Sequence, residues 1–236
     1  MMDWTDRHCR YFHRLMSKHT QLWTEMVTAK AIIHGDKNRL LDFDASEHPL
    51  VLQLGGSDAV EMAHATKIAQ KWGYDEVNIN VGCPSDRVQS GSFGACLMQT
   101  PGVVAECVSA MSNEIDKPVS VKSRIGVDDM QSYEALVDFI GTVNDAGCDN
   151  FVIHARKAWL KGLSPKQNRT VPPLNYSWVY QIKQDFPQLT IGINGGIMNV
   201  DESLEHLQHV DSVMLGRAAY HQPYLLSKVD SQIYQE

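Results

Sequence analysis

The chain has 236 residues, 43% of them hydrophobic, and its 21 basic and 28 acidic side chains give a formal net charge of −7. This is the composition of a globular protein, of a length that two small domains or one α/β barrel can fill, and its acidic balance argues against nonspecific nucleic-acid binding over the whole surface. No apolar run approaches the ~18 residues of a membrane helix, and no basic segment, apolar stretch and cleavage site open the chain.

Five cysteines (Cys9, Cys83, Cys96, Cys107, Cys148) without a Cys-x-x-Cys spacing point to neither a disulfide framework nor a zinc site, so the cytoplasm is the expected compartment and no metal is expected.

Short apolar runs rich in Val and Ile alternate with stretches of helical spacing. In chain order the pattern predicts a helix over residues 6–19, strands over 22–26 and 50–54, a helix over 58–72, a strand over 76–80 and a helix over 101–114. A strand over 119–122, a helix over 132–146, a strand over 150–153, a helix over 175–186, a strand over 190–193, a helix over 200–209 and a strand over 212–215 follow. Thr5, Ser57 and Asn199 are cap-type residues at three helix starts. Met1-Met2, directly before the first helix, read as the end of an eighth strand that comes first and is cut short. Residues 223–236 read as a terminal helix after a single domain over 1–222.

Such alternation fits a doubly wound sheet or a (β/α)8 TIM barrel. The glycines decide. No G-x-G-x-x-G follows an early strand, whereas Asn194-Gly195-Gly196 and Gly216-Arg217 follow the last two, where barrels commonly bind phosphate. The barrel is therefore expected, with a substrate-facing insertion over residues 162–173.

In a barrel, function sits at the C-terminal strand ends. Gln53, Asn80 with Cys83, Lys122 with Arg124, and His154 with Arg156 place an amide, a thiol, an ammonium and an imidazole around one mouth. Flavin mononucleotide (FMN) suits this set: Gln53 and Lys122 can meet the pyrimidine edge, the late glycine loops and Arg217 the phosphate, and His154 either the ring or the phosphate. Charge is also segregated. Residues 150–184 hold six basic side chains (Arg156, Lys157, Lys161, Lys166, Arg169, Lys183) and no Asp or Glu, the pattern of a polyanion contact or of a merely solvated loop.

Asn80-Val81-Gly82-Cys83-Pro84-Ser85, Leu52-Gln53-Leu54-Gly55-Gly56, Ile153-His154-Ala155-Arg156 and Asn194-Gly195-Gly196-Ile197 together resemble the tRNA-dihydrouridine synthases. The opening Met1-Met2-Asp3-Trp4-Thr5-Asp6 is similar to their A-type branch, which reduces uridines 20 and 20a of the tRNA D-loop. The resemblance implies an FMN-containing barrel whose flavin is reduced by NADPH, with Cys83 donating a proton to the uracil ring. It implies flavin contacts from Met2 (backbone), Gln53, Lys122, His154, Asn194, Gly196, Gly216 and Arg217, with Gly195 in the same loop and with Asn80 and Arg156 lining the mouth.

Reaching a base in folded RNA requires that the uridine leave its stack. Arg156, Lys157 and Lys161 would then hold phosphates around it, with Arg87 and Arg124 adding charge on neighbouring loops. Against the family pattern, the rest of the first strand and a C-terminal helical tRNA-binding domain are absent, so weaker tRNA binding than in a full-length relative is expected. The rival readings are an FMN barrel acting on a free pyrimidine, in the manner of dihydroorotate dehydrogenases, a flavin-free phosphate-handling barrel isomerase, and a flavin-free RNA-binding module.

Overall fold

The computed structural model describes residues 1–85 and 91–236. Its framework is one seven-stranded sheet: β1 Leu22–Thr28, β2 Leu50–Gly55, β3 Glu76–Asn80, β4 Val119–Arg124, β5 Asn150–His154, β6 Thr190–Asn194 and β7 Ser212–Met214. The strands lie in sequence order and every neighbouring pair is parallel. Sequential order is what separates a barrel wall from a doubly wound sheet, whose order reverses at a switch point. Right-handed crossovers put the helices that connect the strands on one side, and the sheet curls around its other face.

Among the described residues the helices are α1 Arg7–Arg14, α2 Ala29–His34, α3 Lys37–Leu41, α4 Ala59–Gln70, α5 Pro101–Ser112, α6 Tyr133–Asp145, α7 Tyr176–Asp185, α8 Val200–His206, α9 Arg217–His221 and α10 Val229–Gln232. Packing of α2 on α4, α4 on α5 and α5 on α6 makes an outer layer around the first strands. Side chains that face the helices, among them Leu52, Leu54, Ile79, Val121, Phe151, Ile153, Ile191 and Ile193, are fully buried in one continuous core. Each is worth roughly 1.5–3 kcal/mol of transfer free energy.

The six long predicted helices and all seven strands are present, with shifted ends. Helix α1 stops at Arg14 rather than near His19, and its cap is Asp6, whose carboxylate accepts from Cys9 N at 2.9 Å. Asp58 caps α4 by accepting from Glu61 N at 2.9 Å. The acceptors therefore lie one residue after Thr5 and Ser57, while Asn199 caps α8 as expected. Between β1 and β2, α2 and α3 are additions to the predicted list.

Among the described residues β1 and β7 do not pair with each other. The N-terminal turn spans the interval: Trp4 N donates to Glu25 Oε1 at 3.2 Å, and the Trp4 ring stacks on Tyr220 with centroids 4.6 Å apart. In place of a single terminal helix, a 3₁₀ turn over Pro223–Lys228 leads into α10. Leu226 and Val229 pack there with Val200 and Ala219 in a second small core.

Candidate active site

Parallel register aligns inward-facing residues across the sheet: Gln53 beside Asn78 and Asn78 beside Ser120, then Asn80 beside Lys122, then Arg124 beside His154 and His154 beside Asn194. The interior is thus polar in layers. A buried carboxylate anchors it at the N-terminal end of β3. Glu76, 4% exposed, accepts from Ser120 Oγ, from Gln21 Nε2 at 3.3 Å and from Asn150 Nδ2 at 3.2 Å. Burial pushes its pKa up against the pull of the Ser120 and Gln21 hydrogen bonds.

From Ser120 the chain of contacts climbs toward the mouth. The Asn78 amide lies 2.8 Å from Ser120 Oγ and 2.9 Å from Gln53 Nε2. Asn80 Nδ2 donates to Gln53 Oε1 at 2.8 Å, and Thr24 Oγ1 accepts from Gln53 N at 3.0 Å. Buried amides held on both sides keep one rotamer, so this network fixes the position of Gln53.

The network ends at the backbone of the Cys83 turn. Asn80 Oδ1 accepts from Gly82 N at 3.1 Å and from Cys83 N at 2.9 Å, folding 80–83 into a tight turn past the end of β3. Cys83 O accepts from Ala95 N at 2.9 Å, and Cys83 Sγ lies 3.5 Å from Ser85 Oγ. The side chain is half-buried at the strand end. Burial raises the pKa of the half-buried Cys9 and Cys96 and pushes the buried Cys107 and Cys148 up to about 12. None of those four stands at a strand end on the mouth.

Beside the thiol turn, from β4 onward, lies a concentration of cations. Lys122 Nζ donates to Asn194 Oδ1 at 3.2 Å, and Asn194 Nδ2 donates to Met214 O at 2.7 Å. Burial, then Arg124, holds the Lys122 ammonium down at about pKa 8, with Cys83 acting in the opposite sense. His154 is driven well below its ordinary value by burial and then by Arg124, Lys122, Arg156 and Arg217, so at neutral pH it is a neutral imidazole.

The glycine loop after β6 closes against this histidine. Gly195 has φ +119°, and a Cβ there would stand 2.6 Å from His154 Cδ2, so only glycine admits the approach. Tyr176 Oη donates to Gly195 O at 2.6 Å and holds the loop. Gly216 precedes α9, of which Arg217 is the first residue, and Arg217 Nη2 donates to Arg169 O at 3.3 Å.

Gln53, Asn80, Cys83, Lys122, His154, Asn194, Gly195, Gly196 and Gly216 stand in the C-terminal halves of the strands or on the loops that follow, and Arg217 opens the helix after β7. Met2 is 52% exposed, while Met1 Sδ is the atom nearest Gly216, 3.8 Å from where a Cβ would sit. Arg156 and Lys157 are half-buried and Lys161 is exposed, all on the loop after β5. Arg156 donates to Pro172 O, and Lys157 Nζ donates to Asp128 O. Arg87 lies outside the described residues.

Arg124 differs from expectation. It is 3% exposed, and its guanidinium donates to Gly82 O at 2.8 Å, Lys157 O at 2.9 Å and Asn168 O at 3.0 Å. It is an internal strut between the Cys83 turn and the loop after β5, which removes it from the surface that could meet a phosphate. Three residues join the site that single-residue reading left out: Thr24 under Gln53, Tyr176 under Gly195, and Arg169. Arg169 has a lowered pKa, first from burial and then from Arg217. Only Arg169 carried a sequence signal, as part of the basic stretch.

A sequential parallel barrel wall with a fixed thiol turn and clustered cations at its C-terminal rim has the layout of a barrel enzyme. A family profile described as dihydrouridine synthase (Dus) matches residues 1–236. The tRNA-dihydrouridine(20/20a) synthase of Vibrio parahaemolyticus is 61% identical over 235 residues, covering 99% of this chain and 72% of that protein. Proteins of the same name from Synechocystis sp. and Salmonella typhimurium are 61% and 60% identical, each over 99% of this chain and 70% of their own length. The chain belongs to the dihydrouridine synthase family, flavin-dependent oxidoreductases that reduce uridine in tRNA. Among the described residues no helix is long and apolar enough to cross a membrane.

Proposed function

We propose that this protein reduces uridine in the D-loop of tRNA to 5,6-dihydrouridine, with FMN as cofactor, NADPH as reductant, and residues 1–222 as the catalytic unit. The observation that carries the reading is the Asn80–Cys83 turn, which presents a half-buried thiol at the end of β3, next to the strand that carries Lys122, in a chain of this family. Position 20/20a rests on the names of the relatives.

The residues present fit FMN. Arg156 Nε is buried without a hydrogen-bond partner among the described residues, Lys122 and His154 are depressed first by burial and then by neighbouring cations whose repulsion an anion would relieve, and Gly195 brings its loop backbone up against His154. Gln53 and Lys122 would hold the ring edge. Gly195, Gly196, Gly216 and Arg217 would hold the phosphate, with contacts from His154, Asn194 and the Met2 backbone. When bound and reduced by NADPH, this group supplies the hydride for one carbon of the uracil C5–C6 double bond.

The protein supplies the proton for the other. Cys83 serves as general acid: its S–H bond breaks, the new C–H bond forms, and the thiolate is left on the turn that Arg124 ties at Gly82 O, beside the strand that carries Lys122. The Asn80 turn fixes where that proton is held, and Asn80 also lines the uridine's place. Arg156, Lys157 and Lys161 would engage phosphates around the extruded nucleotide.

The test is to incubate the protein with unmodified tRNA, FMN and NADPH and to map dihydrouridine by mass spectrometry. Dihydrouridine at D-loop uridines supports the reading. Reduction of a free pyrimidine with tRNA left unchanged overturns it.

A further inference from the structure

A second cavity, of about 660 Å3, opens beside the Cys83 mouth between the loop after β4 and the loop after β5. Trp159 and Trp178 are its large side chains, Lys157 and Lys161 its cations, and Asp129 and Gln131 its exposed hydrogen-bonding groups. No residue of the flavin contact set lines it. Its volume lies within the range of small-molecule sites.

Its walls are built rather than incidental. Val127 and Ala158 form an isolated parallel bridge between the two loops, Asp128 N donates to Ala158 O at 2.9 Å, and Leu160 N donates to Asp128 Oδ1 at 2.8 Å. Asn168, fully buried, grips the backbone of Trp159 from both sides, accepting from Trp159 N and donating to Trp159 O, each at 2.8 Å. The indole on this fixed backbone is nevertheless 45% exposed. A large ring held at its backbone and left open to solvent over a cavity loses little entropy when another flat group packs on it.

The cavity is also coupled to the reactive turn. Arg124 joins Lys157 O and Asn168 O to Gly82 O through one buried guanidinium, so the cleft wall and the residue next to Cys83 share a strut. Whatever fills the cleft is therefore held in fixed relation to the thiol.

Indole faces, ammonium groups and amide or carboxylate acceptors are the complement of a nucleotide: base face, phosphate and base edge. Resting on the uridine reduction proposed above, we propose that this cleft is a subsite for an unpaired nucleotide of the RNA flanking the reacting uridine. Its base lies against Trp159, its edge meets Asp129 and Gln131, and its phosphate lies toward Lys161. An RNA strand that extrudes one base into the mouth continues across this cleft, because both sit on loops at the same end of the barrel.

The test compares binding of a short oligouridylate and of an abasic oligomer of equal length to the flavin-loaded protein at fixed salt. Stacking predicts that Trp159→Ala weakens the oligouridylate by roughly 5- to 150-fold while the abasic oligomer changes little, and that Trp159→Phe restores most of the loss. Wild-type tryptophan emission should be quenched by the oligouridylate and not by the abasic oligomer, a readout that needs no folded variant. Equal losses for both oligomers, no loss, or the absence of base-dependent quenching overturns the subsite. Dihydrouridine formation from tRNA is scored separately: if it persists in the wild type while base-dependent binding is missing, the subsite alone fails. A wild type that reduces no uridine overturns the reading beneath it.

Discussion

Arg124→Met isolates the strut that ties the reactive turn to the loop after β5. The substitution keeps an unbranched apolar stem in a site where the arginine is 3% exposed and removes the donors to Gly82 O, Lys157 O and Asn168 O. Hydrogen bonds from a charged donor are worth about 1.5–3 kcal/mol each, and carbonyls left unpaired carry their desolvation cost. One gain offsets this. Burial, opposed by Cys83 and aided by Arg169 and Arg156, holds the guanidinium down at about pKa 10 from 12.5, and relieving that penalty returns roughly 3 kcal/mol at about 1.4 kcal/mol per unit.

The net expectation is a loss of about 1–5 kcal/mol, centred near 3, since the three bonds are not additive. Urea unfolding measures it, as a lower midpoint at unchanged slope. Arg124→Lys should fall nearly as far, because one ammonium cannot span three carbonyls placed for a planar fork. Stability within about half a kcal/mol of wild type, the range of an ordinary surface substitution, would refute the strut.

Lys122 makes stability depend on pH. Its folded pKa of about 8 lies below the ordinary 10.5, so between those values the unfolded chain retains a proton the folded chain has released, and flavin-free protein should gain stability as pH rises through that window. Lys122→Met should abolish the rise, and an identical profile in both proteins would contradict the assignment. Gly195→Ala forces a methyl to within 2.6 Å of His154 at φ +119°; flavin absorbance retained after gel filtration should fall sharply, and full retention would show that the loop does not need that approach.

The barrel was legible because each apolar run is short, β-branched and followed by a helical stretch. Strand ends were not. The strands β4, β5 and β6 run on through Arg124, His154 and Asn194, polar residues that face the interior and so look like loop in a sequence. Helices α2 and α3 span six and five residues on either side of Gly35, too few for a period to register. The Cys83 turn was readable since the Asn80 side-chain oxygen bonds to residues two and three ahead. Arg124, Thr24 and Tyr176 act on partners 19 or more residues away, and a charge in a sequence says surface until its acceptors are known.

The most direct measurement of the central claim is a comparison of wild type with Cys83→Ala: flavin content, flavin reduction by NADPH, and dihydrouridine formed per tRNA by mass spectrometry under single-turnover conditions. Loss of the general acid alone should leave the first two intact and slow the third by about 10²–10⁴-fold. Wild-type dihydrouridine formation in this variant would contradict the account and return Cys83 to a packing role.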